Sequence, residues 1–167
     1  SQVFGYYDHN MMVMFERVSD HLSKKSKYTP RQRLWYIRAK ETILSTGSIE
    51  RPIVFGNNDT PGVVLSSAAK EYMKVYGVLV GRKPIIFTNN DTAYETAFEF
   101  KKNNIEPIIL DSREEHESEV VREAKNKGIQ IKFSYGVIVA NGYKKVKSAK
   151  IGKLTKDKKS FEKIETI

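Results

Sequence analysis

Apolar runs and helical stripes alternate through the middle of the chain. Residues 84–87 form a short, β-branched apolar run of the length of a buried parallel strand. A polar turn follows, and over 92–103 the apolar positions recur at helical spacing. Residues 106–110 return as a second apolar strand that ends at Asp111. This pattern predicts a βαβ unit with an acidic residue about 20 positions after the first turn, the layout of a dinucleotide-binding half-domain.

The flanking segments extend this unit into a larger α/β fold. On the amino side the pattern predicts strands over 3–7, 11–18, 32–39 and 40–47, a turn-rich loop after residues 53–55, and a helix over 63–76. On the carboxyl side it predicts a helix over 114–127, a third parallel strand over 129–133, and strands over 137–140, 146–154 and 161–167. The predicted fold class is therefore a Rossmann-like βαβ three-layer domain with a parallel sheet, plus a flanking antiparallel β-meander.

The polar turn after the first strand is the predicted nucleotide site. It carries Thr88, Asn89, Asn90 and Asp91, and the helix that follows offers unpaired N–H groups and a partial positive charge, which suit a pyrophosphate. The glycines of a G-x-G-x-x-G turn are missing, however, and Asp91 would repel a phosphate held close to it. Two interpretations stay open: a working nucleotide site, and a Rossmann-like unit that only packs.

The end of the second strand supplies the other half of that candidate site. Asp111 is placed to accept hydrogen bonds from ribose hydroxyls. Arg113, two residues on, could reach a 2′-phosphate or form an ion pair in solvent. The cofactor-binding residues predicted from the βαβ unit are therefore Asp111 and the four residues of the turn.

Composition narrows the chemistry. The chain has 167 residues, enough for one domain or two small ones, and has no cysteine, which excludes disulfides and thiol chemistry. No apolar run approaches the ~20 residues of a membrane span, and no signal-peptide pattern is present, so we expect a cytoplasmic protein without membrane contact. His9, His21 and His116 form no convincing acid/base or nucleophilic set. We therefore expect no catalytic residue and no metal site in this chain.

The net charge of +9 is concentrated in one segment. Residues 141–163 contain nine lysines and only two acidic residues, a formal charge of +7. Clustered lysines can bind the phosphates of a nucleic acid. The alternative is the solvated outer face of a lysine-rich hairpin, which we favour because no arginine–aromatic platform or recognition helix accompanies the lysines.

Four sequence motifs together resemble a known family. They are YDHN over 7–10, PRQRLWYIRAKETILSTGSIERP over 30–52, NDTPGV over 58–63 and FTNNDTAYETAF over 87–98. The combination resembles the alpha subunit of heterotetrameric sarcosine oxidase and runs over essentially the whole chain. Ser45, Thr46 and Gly47 resemble the ATG motif of flavoproteins with two dinucleotide-binding domains, related to the pyridine nucleotide-disulfide oxidoreductases.

The resemblance implies a domain organisation and a set of cofactors. Residues 1–52 would be part of a first dinucleotide-binding domain, 53–134 an NAD-domain-like βαβ insertion, and 135–167 a β-meander that returns to the first domain. Ser45, Thr46 and Gly47 would line the cofactor edge. The family implies NAD on this subunit, with FAD and FMN elsewhere in the full complex. Because the N-terminal G-x-G-x-x-G turn is absent, we expect a central fragment that binds no cofactor by itself.

The resemblance also implies a function. The chain would belong to an oxidoreductase subunit, a flavoprotein component that holds a dinucleotide and supports the oxidative demethylation of sarcosine. Catalysis would reside on another subunit, and the partners would be the beta, gamma and delta subunits. The alternative function is a free-standing nucleotide-binding or RNA-associated module with a basic tail. Nucleotide or RNA binding by the isolated chain would distinguish the two.

Overall fold

The computed structural model describes residues 1–24 and 26–167. The chain divides into two compact units, Ser1–Ser48 and Ile49–Ile167. The elements of the first unit are β1 (Gln2–Tyr7), β2 (Met11–Arg17) and β3 (Gln32–Arg38). Those of the second unit are α1 (Ser66–Tyr76), β4 (Ile85–Thr88), α2 (Tyr94–Lys102), β5 (Ile108–Asp111), α3 (Glu119–Asn126), β6 (Gln130–Phe133), β7 (Tyr135–Gly142), β8 (Val146–Leu154) and β9 (Phe161–Thr166). The predicted segments 53–134 and 135–167 both lie in the second unit.

The first unit is a three-stranded antiparallel sheet in the order β1-β2-β3. Val13 lies opposite Tyr36, and Met14 lies opposite Trp35. Since neighbouring residues of a strand point to opposite faces, apolar side chains stand on both faces of this sheet. Val13 is buried, whereas Trp35 is 40% and Tyr36 71% exposed.

The second unit is built on a three-stranded parallel sheet in the order β4-β5-β6. Its strands alternate between two apolar clusters. Ile86 and Ile109 belong to the cluster on the helix side, together with Ala97 of α2 and Val121 of α3. Ala69 places α1 in the same cluster. These helices therefore form one covering layer of the sheet.

The antiparallel sheet β7-β8-β9 covers the other face. Leu110 of β5 packs there with Val137 and Ile151. A Cβ atom at Gly136 would lie 3.1 Å from the ring of Phe87, so the missing side chain makes room for an aromatic ring of the parallel sheet. The result is three layers of helices, parallel sheet and antiparallel sheet, which confirms the predicted fold class.

Several predicted element boundaries were wrong. Residues 40–47 were predicted as a strand, yet this segment is irregular. A short segment does not become a strand without a hydrogen-bonding neighbour. Further along the chain, Gly56 forms an isolated bridge to Val139. The helix predicted from residue 114 begins at Glu119 because the Ser118 side chain accepts a hydrogen bond from the Val121 amide and caps it there.

Candidate functional site

The candidate site lies at the carboxyl edge of the parallel sheet. Thr88, Asp111 and Phe133 are the last residues of β4, β5 and β6, and they are register partners across the sheet. By alternation they face the helix layer, as Ile86 and Ile109 do. This edge is where open α/β sheets bind their ligands, so its side chains decide what the unit can hold.

Asp111 is fully buried and has partners for both carboxylate oxygens. Its Oδ2 accepts a hydrogen bond from the Tyr94 hydroxyl at 2.9 Å and from Arg113 Nη2 at 2.7 Å. Its Oδ1 accepts from the backbone N–H and the Nε of Arg113, each at 3.0 Å. Burial, together with the hydrogen bond to Asp111, raises the pKa of the Tyr94 phenol well above its usual range, so Tyr94 stays neutral and donates.

Arg113 also bridges to the turn after β4. Its Nη2 lies 2.7 Å from Asp91 Oδ1, and this contact lowers the pKa of Asp91. The hydrogen bond to Asp111 raises the pKa of Arg113. His116 approaches the same carboxylate, with Nε2 3.7 Å from Asp91 Oδ1, and its ring packs edge-on against Phe133 at 5.5 Å. With a neutral histidine, the two aspartates and one arginine give this edge a net charge of −1.

The turn itself is closed by its own side chains. Thr88 Oγ1 accepts a hydrogen bond from the Asn90 N–H at 3.1 Å and donates to the Asn90 carbonyl at 2.9 Å. Asn90 Oδ1 in turn accepts from the Thr92 N–H at 3.0 Å. The amides that a bound pyrophosphate would need from Asn90 and Thr92 are therefore already bonded. Asn89 is exposed, and its side-chain oxygen accepts a hydrogen bond from Asn90.

The second group of predicted residues lies in the first unit. Ser45, Thr46 and Gly47 are exposed and belong to the irregular segment after β3. Gly47 has φ of +69°, a left-handed conformation that favours glycine, and a Cβ atom there would meet nothing within 4 Å. Their role at a cofactor edge stays a prediction.

The structure brings Thr88, Asn90, Asp91 and Asp111 together at one edge, as the βαβ layout predicted. Sequence reasoning missed Tyr94 and His116 at this edge. A tyrosine three residues after Asp91, in a helix that packs on the sheet, was the available signal for the first. No local pattern pointed to His116.

Among residues 1–24 and 26–167, no three or more His, Cys, Asp or Glu side chains are grouped so that they could hold a metal ion. In the same ranges no helix combines the length and the apolar composition needed to cross a membrane.

Comparison with curated proteins links this chain to one group of enzymes. It is 45% identical over 111 residues to the sarcosine oxidase subunit alpha of Rhizobium meliloti (strain 1021), a match covering 66% of this chain. It is 36% identical over 140 residues, 83% of this chain, to the same subunit from Corynebacterium sp. (strain U-96). The chain is homologous to sarcosine oxidase alpha subunits. The predicted family resemblance is thereby confirmed.

The matched region is a small part of these relatives. The chain spans only 11% of the Rhizobium subunit and 14% of the Corynebacterium subunit. No family model matches the chain. Among solved structures, thioredoxin reductase from T. acidophilum aligns with a TM-score of 0.57 at 16% identity, covering 81% of this chain and 44% of that one. At this identity the likeness supports the Rossmann-like fold alone.

Proposed function

We propose that this chain is a scaffold segment of a sarcosine-oxidase-type alpha subunit, an oxidoreductase subunit whose chemistry takes place elsewhere in the complex. The observation that carries the proposal is the 36–45% identity to sarcosine oxidase alpha subunits over most of the chain. The three-layer second unit supplies a rigid Rossmann-like body, and the carboxyl edge of its sheet is occupied by an ion-pair network rather than by a set of groups suited to acid/base work.

The residues at the Thr88–Asp91 turn fit a pyrophosphate poorly. The amides of Asn90 and Thr92 are bonded to side chains, and Asp91 adds a negative charge beside them. Arg113, the cation nearest this turn in the part of the chain that the structure describes, is already paired with two aspartates. We therefore propose that the NAD implied by the family is not held by this turn, and that FAD and FMN belong to other parts of the complex.

A segment exchange tests the proposal directly. The 111 matched residues of the Rhizobium alpha subunit are replaced by the corresponding residues of this chain, and the chimera is produced together with its partner subunits. We expect assembly of the complex and retention of sarcosine oxidation. In the same chimera, Asp111→Asn should lower the yield of assembled complex while leaving the turnover of the assembled enzyme unchanged. A chimera that assembles but loses turnover would contradict the scaffold role.

A titration of NAD into the isolated chain tests the cofactor part separately. Amide NMR shifts are followed at Thr88, Asn89 and Asp91 and, in the first unit, at Ser45 and Gly47. We expect no saturable shift at the turn after β4. Saturable shifts there would overturn this part and favour a free-standing nucleotide-binding module. Asp91→Asn is the matched variant. Saturable shifts that appear only in this variant would mean that the negative charge of Asp91 prevents NAD from binding at the turn.

A further inference from the structure

A cavity with a volume of about 430 Å³ opens beside the carboxyl edge of the parallel sheet. This lies within the roughly 300–1,000 Å³ typical of small-molecule sites. Ser112 and Ser134, which follow β5 and β6, form one wall, and the end of β8 with the turn into β9 forms the other. Its charged lining residues are Glu114, Lys153, Lys156, Lys158 and Glu162. It therefore sits at the carboxyl ends of parallel strands, where α/β folds place ligands.

Three of the lining residues are lysines, Lys153, Lys156 and Lys158. Within residues 1–24 and 26–167, neither Lys153 nor Lys156 nor Lys158 forms an ion pair. By contrast, Arg113 at the neighbouring edge is shared between two carboxylates. Lys153 is half-buried, and Lys156 and Lys158 are exposed. Lysines that line a cavity favour an anion there, and phosphate is an anion that lysine binds as a point charge.

The walls of this cavity are fixed by backbone hydrogen bonds. The Ser134 N–H donates to the Arg113 carbonyl at 2.8 Å, and the Leu154 N–H donates to the Ser134 carbonyl at 2.6 Å. The turn between β8 and β9 is closed by the Thr155 N–H, which donates to the Ser160 carbonyl at 3.0 Å. The backbone that bears the lysines is therefore held by hydrogen bonds, and a ligand does not have to order the turn between β8 and β9 when it binds.

Two glutamates narrow the class of ligand. Glu114 and Glu162 also line the cavity, and neither forms an ion pair in the described part of the chain. A bare anion gains nothing from them, whereas carboxylates accept hydrogen bonds from sugar hydroxyls. We propose that this lysine pocket binds a phosphorylated sugar, as a free sugar phosphate or as the ribose phosphate of a nucleotide. The lysines contact the phosphate, and the glutamates accept from the hydroxyls. The proposal does not depend on the function proposed above.

The test is a titration of the full chain with ribose 5-phosphate, with inorganic phosphate and ribose as separate probes. We expect saturable amide shifts at Ser112, Ser134 and Thr155, with tighter binding of ribose 5-phosphate than of either other probe. Lys153→Gln should raise the Kd for both phosphate-containing probes about tenfold, the effect of losing one charge-assisted hydrogen bond. Adenosine 5′-monophosphate, compared with ribose 5-phosphate, then distinguishes a nucleotide from a free sugar phosphate.

Glu114→Gln gives a readout that charge alone would not produce. Removing this negative charge should tighten the binding of inorganic phosphate slightly and weaken the binding of ribose 5-phosphate. A change in the same direction for both probes would overturn the assigned role of the glutamate. Retained dispersion of the amide spectrum shows that each variant is folded.

The matched control is the double variant with Lys144→Gln and Lys145→Gln, two lysines at the other end of the β7–β8 hairpin, roughly 30 Å away along the strand. We expect less than a twofold change in Kd. If the control raised the Kd as much as Lys153→Gln does, the probes would be attracted to the lysine-rich face in general, and the pocket proposal would be overturned. Absence of saturable shifts with millimolar ribose 5-phosphate would overturn it too. Binding of a single-stranded RNA across all the lysines, without binding of ribose 5-phosphate, would assign the lysines to nucleic acid instead.

Discussion

In the second unit, strands β4 and β5 of the parallel sheet have an apolar cluster on each side. In the first unit, the apolar side chains of β1 and β3 are mostly exposed on both faces. Ile109 and Leu110 are neighbours in β5, point to opposite sides, and are both fully buried. Trp35 and Tyr36 are neighbours in β3, also point to opposite sides, and are 40% and 71% exposed. Similar strand patterns therefore lead to very different burial, because burial depends on whether covering layers are present.

The largest test of this difference compares two aliphatic truncations. Ile109→Ala removes a fully buried side chain between the sheet and the helix layer and should destabilise the second unit by about 3 kcal/mol. Leu34→Ala in β3, where the leucine is 47% exposed, should cost less than about 1 kcal/mol in the first unit. Amide hydrogen exchange, read separately for β5 and for β2, gives both values. Similar losses in the two units would contradict the comparison.

The buried ion-pair network offers the next test, because the second unit buries charge as well as apolar surface. Asp111→Asn removes the carboxylate that accepts from Tyr94 and Arg113. Arg113 keeps its ion pair with Asp91 and is partly exposed. The free energy of unfolding should therefore fall by about 2 kcal/mol, less than is typical when a buried ion pair is broken. Urea denaturation followed by circular dichroism measures it.

Asp59→Asn is the control for this substitution. Asp59 is exposed and forms no ion pair in the described residues, so its change should stay within about 0.5 kcal/mol of the parent chain. An Asp111→Asn variant as stable as this control would mean that the network contributes no stability to the second unit.

The helix layer is tested by the glycine that ends α1. Gly77 has φ of +63°, and its N–H donates to the Tyr72 carbonyl. A Cβ atom there would meet nothing within 4 Å, so Gly77→Ala changes only the backbone energy, by about 1 kcal/mol. Gly81→Ala is the control, since Gly81 has equal space and no left-handed φ. The same thermal shift in both variants would exclude the backbone explanation.

The sequence predicted those parts of the fold that depend on neighbours along the chain. Runs such as Ile85-Ile86-Phe87 located the parallel strands, and the position of Asp111 at the end of β5 followed from where its apolar run stops. The segment 40–47 was predicted wrongly because a local sequence cannot report whether a neighbouring strand is present. The Tyr94 hydrogen bond to Asp111 was beyond local reasoning, since Tyr94 reaches Asp111 only once α2 has packed on the sheet.

The lysine pocket illustrates the same limit. The nine lysines of 141–163 are visible in the sequence as a charge run, and a solvated face was the favoured interpretation. Only the fold places Lys153, Lys156 and Lys158 around one cavity with Ser112 and Ser134, which are far from them along the chain. Sequence reasoning can therefore count charges, but the distinction between a charged face and a charged pocket requires the tertiary structure.

The smallest expected effect is a dependence of stability on pH at the acidic edge. The hydrogen bond from Arg113 lowers the pKa of Asp91 below its unfolded value, with His116 adding a smaller attraction when protonated. A lowered pKa contributes stability that is present above the unfolded value, about 3.9, and is lost as the pH falls through the folded value. Because Asp91 is 42% exposed, solvent screening should hold this contribution below about 1 kcal/mol.

Asp91→Asn should therefore flatten the acid limb of the stability curve of the second unit below about pH 4 and change it little at neutral pH beyond a constant offset. Urea midpoints measured across the acid range for the parent chain, Asp91→Asn and Asp59→Asn isolate the effect. High salt should shrink the difference, because a partly exposed pair is screened. If Asp91→Asn and Asp59→Asn flatten the acid limb equally, the pair with Arg113 does not set this pH dependence.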